Sequence, residues 1–251
     1  MSSKPQDEPT MNDDFHVDPM VSELYVKTEP YFGLVVNAGW PPSSETIDSY
    51  NQFLSMVKMC FDPEDLTGST PAVYLYPGSC LHITVSTLYP LKPVRAHGSN
   101  IDFDEITSTW KELVLAAANR PEWPTKPLQL EMDSAQIGIK AGILLWKEMT
   151  GGLEAMRFCL TEEAQERNLQ IHNTPGIIHS TFLRFYDQPS TKGNDIQNRF
   201  QRHVLPKLSD IFSNPIPAND AKLVCERTPY MHIPNDSDHV FLCLSFSEET
   251  S

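Results

Sequence analysis

The sequence predicts an α+β fold of two similar lobes, each an antiparallel sheet backed by outer helices, set around a central cleft. Two short strand-like stretches, Leu81-His82-Ile83-Thr84-Val85 and Ile178-His179-Ser180-Thr181-Phe182, repeat a His-x-Thr-x unit 97 residues apart. Both units stand in the same order of elements: strand, helix, motif strand, helix, strand, strand. Such a repeat points to a duplicated unit in which each sheet buries one face on its own helices and turns the other toward the sister lobe. A composition of 40% hydrophobic and 21% charged residues over 251 positions suits one large folded body and requires no disordered or fibrous reading.

Residues 1–20, rich in Asp, Ser and Pro, read as a flexible acidic tail or one partly ordered onto the body, and 21–251 as a single bilobal domain with its midpoint near 147. Residues 31–38 form a first strand, closed by Gly39-Trp40-Pro41-Pro42-Ser43-Ser44. A helix over 45–60 follows from the spacing of Ile47, Tyr50, Phe53, Leu54, Val57 and Met59. Strands at 72–76 and 81–88 flank the turn residues Pro77-Gly78-Ser79. A helix over 102–119 starts on acidic residues that suit its dipole, and the proline-rich 121–127 segment is a connection. Strands at 128–132 and 136–146 follow, the second broken at Ala141-Gly142. The second half then predicts a helix over 152–168, the motif strand 176–185, a helix over 194–212, and strands 222–233, interrupted at Pro229, and 239–246.

Alternation along an extended chain puts positions i and i+2 on one face. His82 and Thr84 therefore face one way with Ile83 and Val85 opposite; His179 and Thr181 pair likewise, opposite Ile178 and Phe182, with Ser180 the weak member of the apolar row. Two imidazoles and two hydroxyls across a cleft suit a phosphate. Hydroxyls donate to phosphoryl oxygens, and histidine exchanges protons near neutral pH. One proton donor and one acceptor are what general acid–base catalysis needs. Strict alternation places Arg184, five residues beyond His179, on the far face unless a bulge re-aims it, so a structural ion pair competes with phosphate contact. Tyr31, Tyr89 and Trp146 are candidates to stack a base, against core packing as the ordinary fate of strand aromatics. Tyr230 and His232 flank the interruption at Pro229 as rim candidates, and Lys140 is a candidate phosphate contact, with a solvated strand residue as the default. The 172–176 loop shapes the entrance or is simply a turn.

A formal charge of −14 and a pI near 4.9 count against a broad grip on a polynucleotide, so a small nucleotide or an RNA or oligonucleotide end is the expected partner. Five widely spaced cysteines read as free thiols of a reducing compartment. The first twenty residues contain no apolar stretch of the kind a secretion signal needs, and no window reaches membrane-spanning length, so a cytoplasmic or nuclear location without membrane association is expected. The remaining histidines are scattered, so no metal and no cofactor are expected. A monomer is expected.

These residues resemble the two-histidine (2H) phosphoesterase superfamily, near its cyclic phosphodiesterase and RNA 2'-5' ligase-like branches. The resemblance spans about residues 28–248 and extends through His179-Ser180-Thr181-Phe182-Leu183-Arg184, similar to a His-x-Thr-x-x-Arg form. Ser86 and Thr87 depart from the apolar residues common there. The resemblance implies metal-independent hydrolysis of a 2',3'-cyclic phosphate, with His82 as acid and His179 as base, roles that invert with the ester bond broken. Thr84 and Thr181 would hold the non-bridging oxygens. Cleavage of a 2'-5' phosphodiester, or nucleotide or RNA-end binding with little turnover, are the alternatives.

Overall fold

Sheet formation begins with β1 (Tyr31–Ala38), buried along its whole length, which pairs antiparallel with β3 (Ile83–Pro93) on one side and β8 (Asp220–Glu226) on the other. The computed structural model describes residues 15–17, 30–68, 71–98, 101–227 and 239–246. With β9 (Val240–Ser245) the first sheet runs β3-β1-β8-β9. The second runs β2-β6-β5-β4-β7, built from β2 (Val73–Leu75), β4 (Leu128–Ile137), β5 (Ala141–Glu148), β6 (His179–Phe185) and β7 (Ile216–Ala218). All pairings are antiparallel.

Each sheet draws strands from both sides of residue 147, so lobe and sequence half do not coincide. The helices cross over as well. The helix α1 (Ser44–Lys58) buries Tyr50, Phe53, Leu54 and Val57, a stripe at helical spacing, and Phe53 meets Phe182 of β6 edge to face. Ser43 caps it by accepting from the Thr46 N–H at 3.2 Å. A four-residue helix, α2 (Pro63–Leu66), precedes β2. In the first sheet's layer, α3 (Phe103–Ala118) and α4 (Gly152–Glu166) pack on each other and reach β9 and β3 respectively. Asp102 caps α3 by accepting from the Asp104 and Glu105 N–H groups, as its acidic start predicts.

Three element boundaries differ from expectation. The hairpin turn lies at 138–140 and not at Ala141-Gly142, and β4 is continuous through a bulge between Met132 and Ser134. The bulge switches the buried parity from Leu128 and Leu130 to Ala135 and Ile137, which is why the alternation reads as a break. The helix expected over 194–212 divides into α5 (Gly193–His203) and the short α6 (Leu208–Ile211), separated by a 3-10 turn that holds Pro206, where an α-helix would lack an N–H donor. The expected strand over 222–233 ends at Glu226, and 228–233 lies outside the described residues.

Phe15, expected in the acidic tail, is a core residue: its ring lies 4.2 Å from that of Phe185, and Gln188 pairs with its backbone N–H and C=O at 2.9 and 2.6 Å. Cys60, Cys80, Cys159 and Cys225 are buried, Cys243 is exposed, and all five are free thiols. Among the described residues no helix is long and apolar enough to cross a membrane.

The segment after β6 is latched to α2 by buried Asp65. Its carboxylate accepts from the Ser190 N–H at 2.6 Å, the Thr191 N–H at 3.1 Å and the Thr191 hydroxyl at 2.6 Å. Burial pushes its pKa up, but the Thr191 and Ser190 hydrogen bonds outweigh this and hold it below the usual carboxylate value. A depressed folded pKa stabilises above the unfolded value, about pH 4, and the contribution is lost as pH falls through the folded value. Asp65→Ala should therefore cost about 2–3 kcal/mol in urea unfolding at pH 7, and the gap to wild type should narrow as pH falls below the unfolded value, about pH 4.

Candidate active site

The two motif strands belong to different sheets and are joined through side chains. The Ser180 hydroxyl, buried on β6, donates to the His82 carbonyl at 2.7 Å and accepts from the Trp146 indole N–H at 3.1 Å. The loop before β6 ties back to β3, with Thr87 and Asn173 exchanging backbone hydrogen bonds at 2.8 and 3.0 Å and Ser86 Oγ lying 3.0 Å from Thr174 Oγ1. Ser86 and Thr87, the polar residues that depart from the apolar pattern, thus hold the entrance loop against the first motif. Ser180, weak as an apolar residue, is the hydrogen-bonded seam between the lobes.

A cavity of about 390 Å³ opens at this seam, and His82, Thr84, His179, Thr181 and Arg184 line it together. Tyr76, His172, Asn173 and Glu226 complete its polar wall. His82 Nδ1 lies 2.8 Å from the Cys80 carbonyl, which places a proton on Nδ1 and leaves Nε2 for the cavity. Burial lowers the His82 pKa; the Cys80 hydrogen bond partly opposes this, and positive charge on His179 lowers it further. His179 is also lowered, first by burial, against the Ile177 carbonyl that favours its charged form, then by Arg184 and Arg157. Its Nδ1 is buried without a well-formed hydrogen bond. In both motifs the carbonyl acting on the ring is two residues upstream. The Cys80 thiol also lines the cavity, but burial pushes its pKa up to about 11, which keeps it a thiol at neutral pH.

Arg184 reaches the cavity because β6 is bulged. Ile143 and Gly142 of β5 face Thr181 and Leu183, so Phe182 is the extra residue, and Phe182 and Leu183 are buried in succession. The parity switch returns the fifth position after His179 to the cavity face. Strand β3 does the same: Asn37 and Val36 face Thr84 and Ser86, Val85 is extra, and Thr87, five residues after His82, lines the cavity. Both motifs thus carry a bulge at their fourth residue. Strict alternation misplaces Arg184 and Thr87 for one reason: a bulge is a property of strand pairing.

Other candidates lie elsewhere. Tyr31 is buried opposite Pro93, at the end of the β1–β3 ladder remote from His82, roughly 20 Å along the strand. Tyr89 stacks on His97, ring centroids 5.2 Å apart. Trp146 is 6% exposed, with its indole N–H given to Ser180, so it is core and not a stacking platform. Lys140 is exposed in the β4–β5 turn and does not line the cavity. Tyr230 and His232 lie outside the described residues.

Sequence reasoning missed Arg157 of α4. Its buried guanidinium donates from Nε to the Val85 carbonyl at 3.2 Å and from Nη2 toward the Thr84 and Ile177 carbonyls at 3.5 Å each, while Nη1 pairs with Glu154 at 2.6 Å. The only signal was an arginine beside Met156 on the apolar stripe of a helix. Among the described residues no group of three or more His, Cys, Asp or Glu side chains could hold a metal ion.

No family model and no curated protein matches the chain. Solved structures do match. E. coli LigT, crystallised with 3'-AMP, superposes with a TM-score of 0.50 at 14% identity, covering 88% of this chain and 100% of that one. ATU0111, a conserved protein of unknown function from Agrobacterium tumefaciens str. C58, gives 0.54 at 13% identity over 98% and 95%. The likeness is one of fold, and it agrees with the two-histidine resemblance in the motifs.

The bulge makes a direct prediction. A Cβ at Gly142 would meet the Phe182 ring at 2.6 Å and Leu183 Cβ at 2.9 Å, the two residues that form the bulge. Gly142→Ala should cost about 1–3 kcal/mol in thermal or urea unfolding. It should also weaken inorganic phosphate binding by calorimetry as far as Arg184→Gln does, because the bulge that aims Arg184 is displaced.

Proposed function

We propose that this chain is a metal-independent phosphoesterase of the two-histidine type, hydrolysing a 2',3'-cyclic phosphate of a nucleotide or RNA end. One observation carries the reading: two histidines, two threonines and an arginine, from strands of separate sheets, line a single nucleotide-sized cavity. The fold shared with E. coli LigT, a protein crystallised with 3'-AMP, supports a phosphorylated nucleoside as ligand.

In the reaction, His179 takes a proton from water as the water oxygen attacks phosphorus in line, and His82 gives a proton from Nε2 to the ribose oxygen whose bond to phosphorus breaks. Exchange with solvent then restores both rings. The roles reverse if the other ester oxygen leaves. Thr84 and Thr181 donate to the non-bridging oxygens, and Arg184 balances charge gathering at phosphorus, in a cavity where such contacts count for more than in water. The lowered pKa of His179 keeps it neutral and ready to accept. The lowered pKa of His82 leaves little imidazolium in the free protein, so an anionic ligand must raise it for His82 to act as acid. The same groups would serve a 2'-5' phosphodiester with a neighbouring ribose hydroxyl as nucleophile.

Turnover of 2',3'-cyclic nucleotides, 2'-5' dinucleotides and cyclic-phosphate-ended RNA, with and without chelator, tests the reading. Chelator-insensitive hydrolysis is expected, falling by about 10²–10⁴-fold in His82→Ala and in His179→Ala. Inactivity of the wild type on every substrate would reject it. Since both rings are held below the ordinary histidine value, near 6.5, kcat/KM should peak on the acidic side of that value, and the basic limb of kcat should lie at higher pH than that of kcat/KM.

A further inference from the structure

Resting on that reading of the two histidines, we infer that Arg157 is the positioning residue that sets the two motif strands against each other and so fixes the separation of the imidazoles. It does not itself line the cavity. Its partners are what matter: the Thr84 and Val85 carbonyls on β3 and the Ile177 carbonyl immediately before His179.

The geometry explains why an arginine stands there. Among the described residues β3 is the edge strand of its sheet, laddered with β1 and bridged to the entrance loop at Thr87, and the bulge at Val85 interrupts the ladder where the Thr84 and Val85 carbonyls meet Arg157. Buried carbonyls without partners are costly. At the matching bulge of β6 the problem is solved within the backbone, by the Tyr76 N–H donating to the Phe182 carbonyl at 3.0 Å. β3 has no such neighbour strand, and the Arg157 fork takes the role from α4. The flat, rigid guanidinium can reach several acceptors at once, which a lysine ammonium on its flexible stem cannot. An apolar residue would pack equally well beside Leu153, Met156 and Leu160, but would leave the bulge carbonyls unsatisfied and the seam unstitched. The position also carries charge toward the site, because the guanidinium lowers the pKa of His179. Among the described residues, the other titratable or charged groups lining the cavity with His179 are Arg184 on its own strand, His82 immediately before β3, His172 in the entrance loop, and Cys80, Tyr76 and Glu226 across the cavity.

Two substitutions separate position from charge. Arg157→Lys keeps the charge and loses the fork, so kcat/KM should fall about tenfold while the His179 limb of the pH profile stays in place. Arg157→Met loses both, so kcat/KM should fall about a hundredfold, and the limb should move to higher pH. Titration of the His82 and His179 ring protons by NMR, assigned with His82→Gln and His179→Gln, reads the same effects without turnover. An inactive wild type would therefore reject the phosphoesterase reading while leaving the inference open to test: His179 must titrate higher in Arg157→Met, and its ring resonances must move in Arg157→Lys. A folded Arg157→Met with wild-type kcat/KM and a wild-type His179 titration overturns the inference. If that variant does not fold, Arg157→Lys decides alone: wild-type kcat/KM, or unmoved His82 and His179 resonances where no turnover exists, overturns it.

Discussion

Everything at the site depends on β3 and β6, which lie in different sheets, being fastened to each other by hydrogen bonds made outside any shared ladder. Strands within a sheet hold their spacing through a repeating ladder. Strands from two sheets have no such ladder, so their relative position is set by packing and by hydrogen bonds made outside it. Here Ser180 gives its hydrogen to the His82 carbonyl, Trp146 braces Ser180, Asn173 pairs with Thr87, and Arg157 reaches carbonyls on both sides. Each fastening lies within a few residues of a motif histidine. These fastenings thus converge on the seam where the cavity opens.

Pairing geometry then does the second part of the work. A bulge after each His-x-Thr brings a third position of each strand to the cavity, Thr87 on one side and Arg184 on the other. The two motif strands are alike in their bulges and unlike in charge. Only the β6 side brings a cation into the cavity wall from its own strand, and this marks one face of the cavity as the more favourable place for an anion.

Much of this was legible in the chain and some was not, for identifiable reasons. The buried strand 31–38, the stripe of α1 and the acidic start of α3 followed from local pattern, because each element buries one periodic face. Boundaries failed where pattern and pairing diverge: at the bulge in β4, and at Pro206. Strand aromatics divided as packing dictates, with Trp146 in the core and Tyr89 on His97. Phe15 looked like part of an acidic tail because its partners Phe185 and Gln188 are far away along the chain.

The sequence by itself determined that two His-x-Thr units exist and that each puts its imidazole and hydroxyl on one face of an extended stretch. Those are short-range facts, governed by alternation over two residues. Only the tertiary structure decided that strands from both halves mix in each sheet, that Arg184 turns inward, and that Arg157 and Ser180 join the lobes. These depend on strand register and on hydrogen bonds between residues about 20 to 100 positions apart along the chain, as from Arg157 to Ile177 or from Ser180 to His82, which local periodicity does not encode.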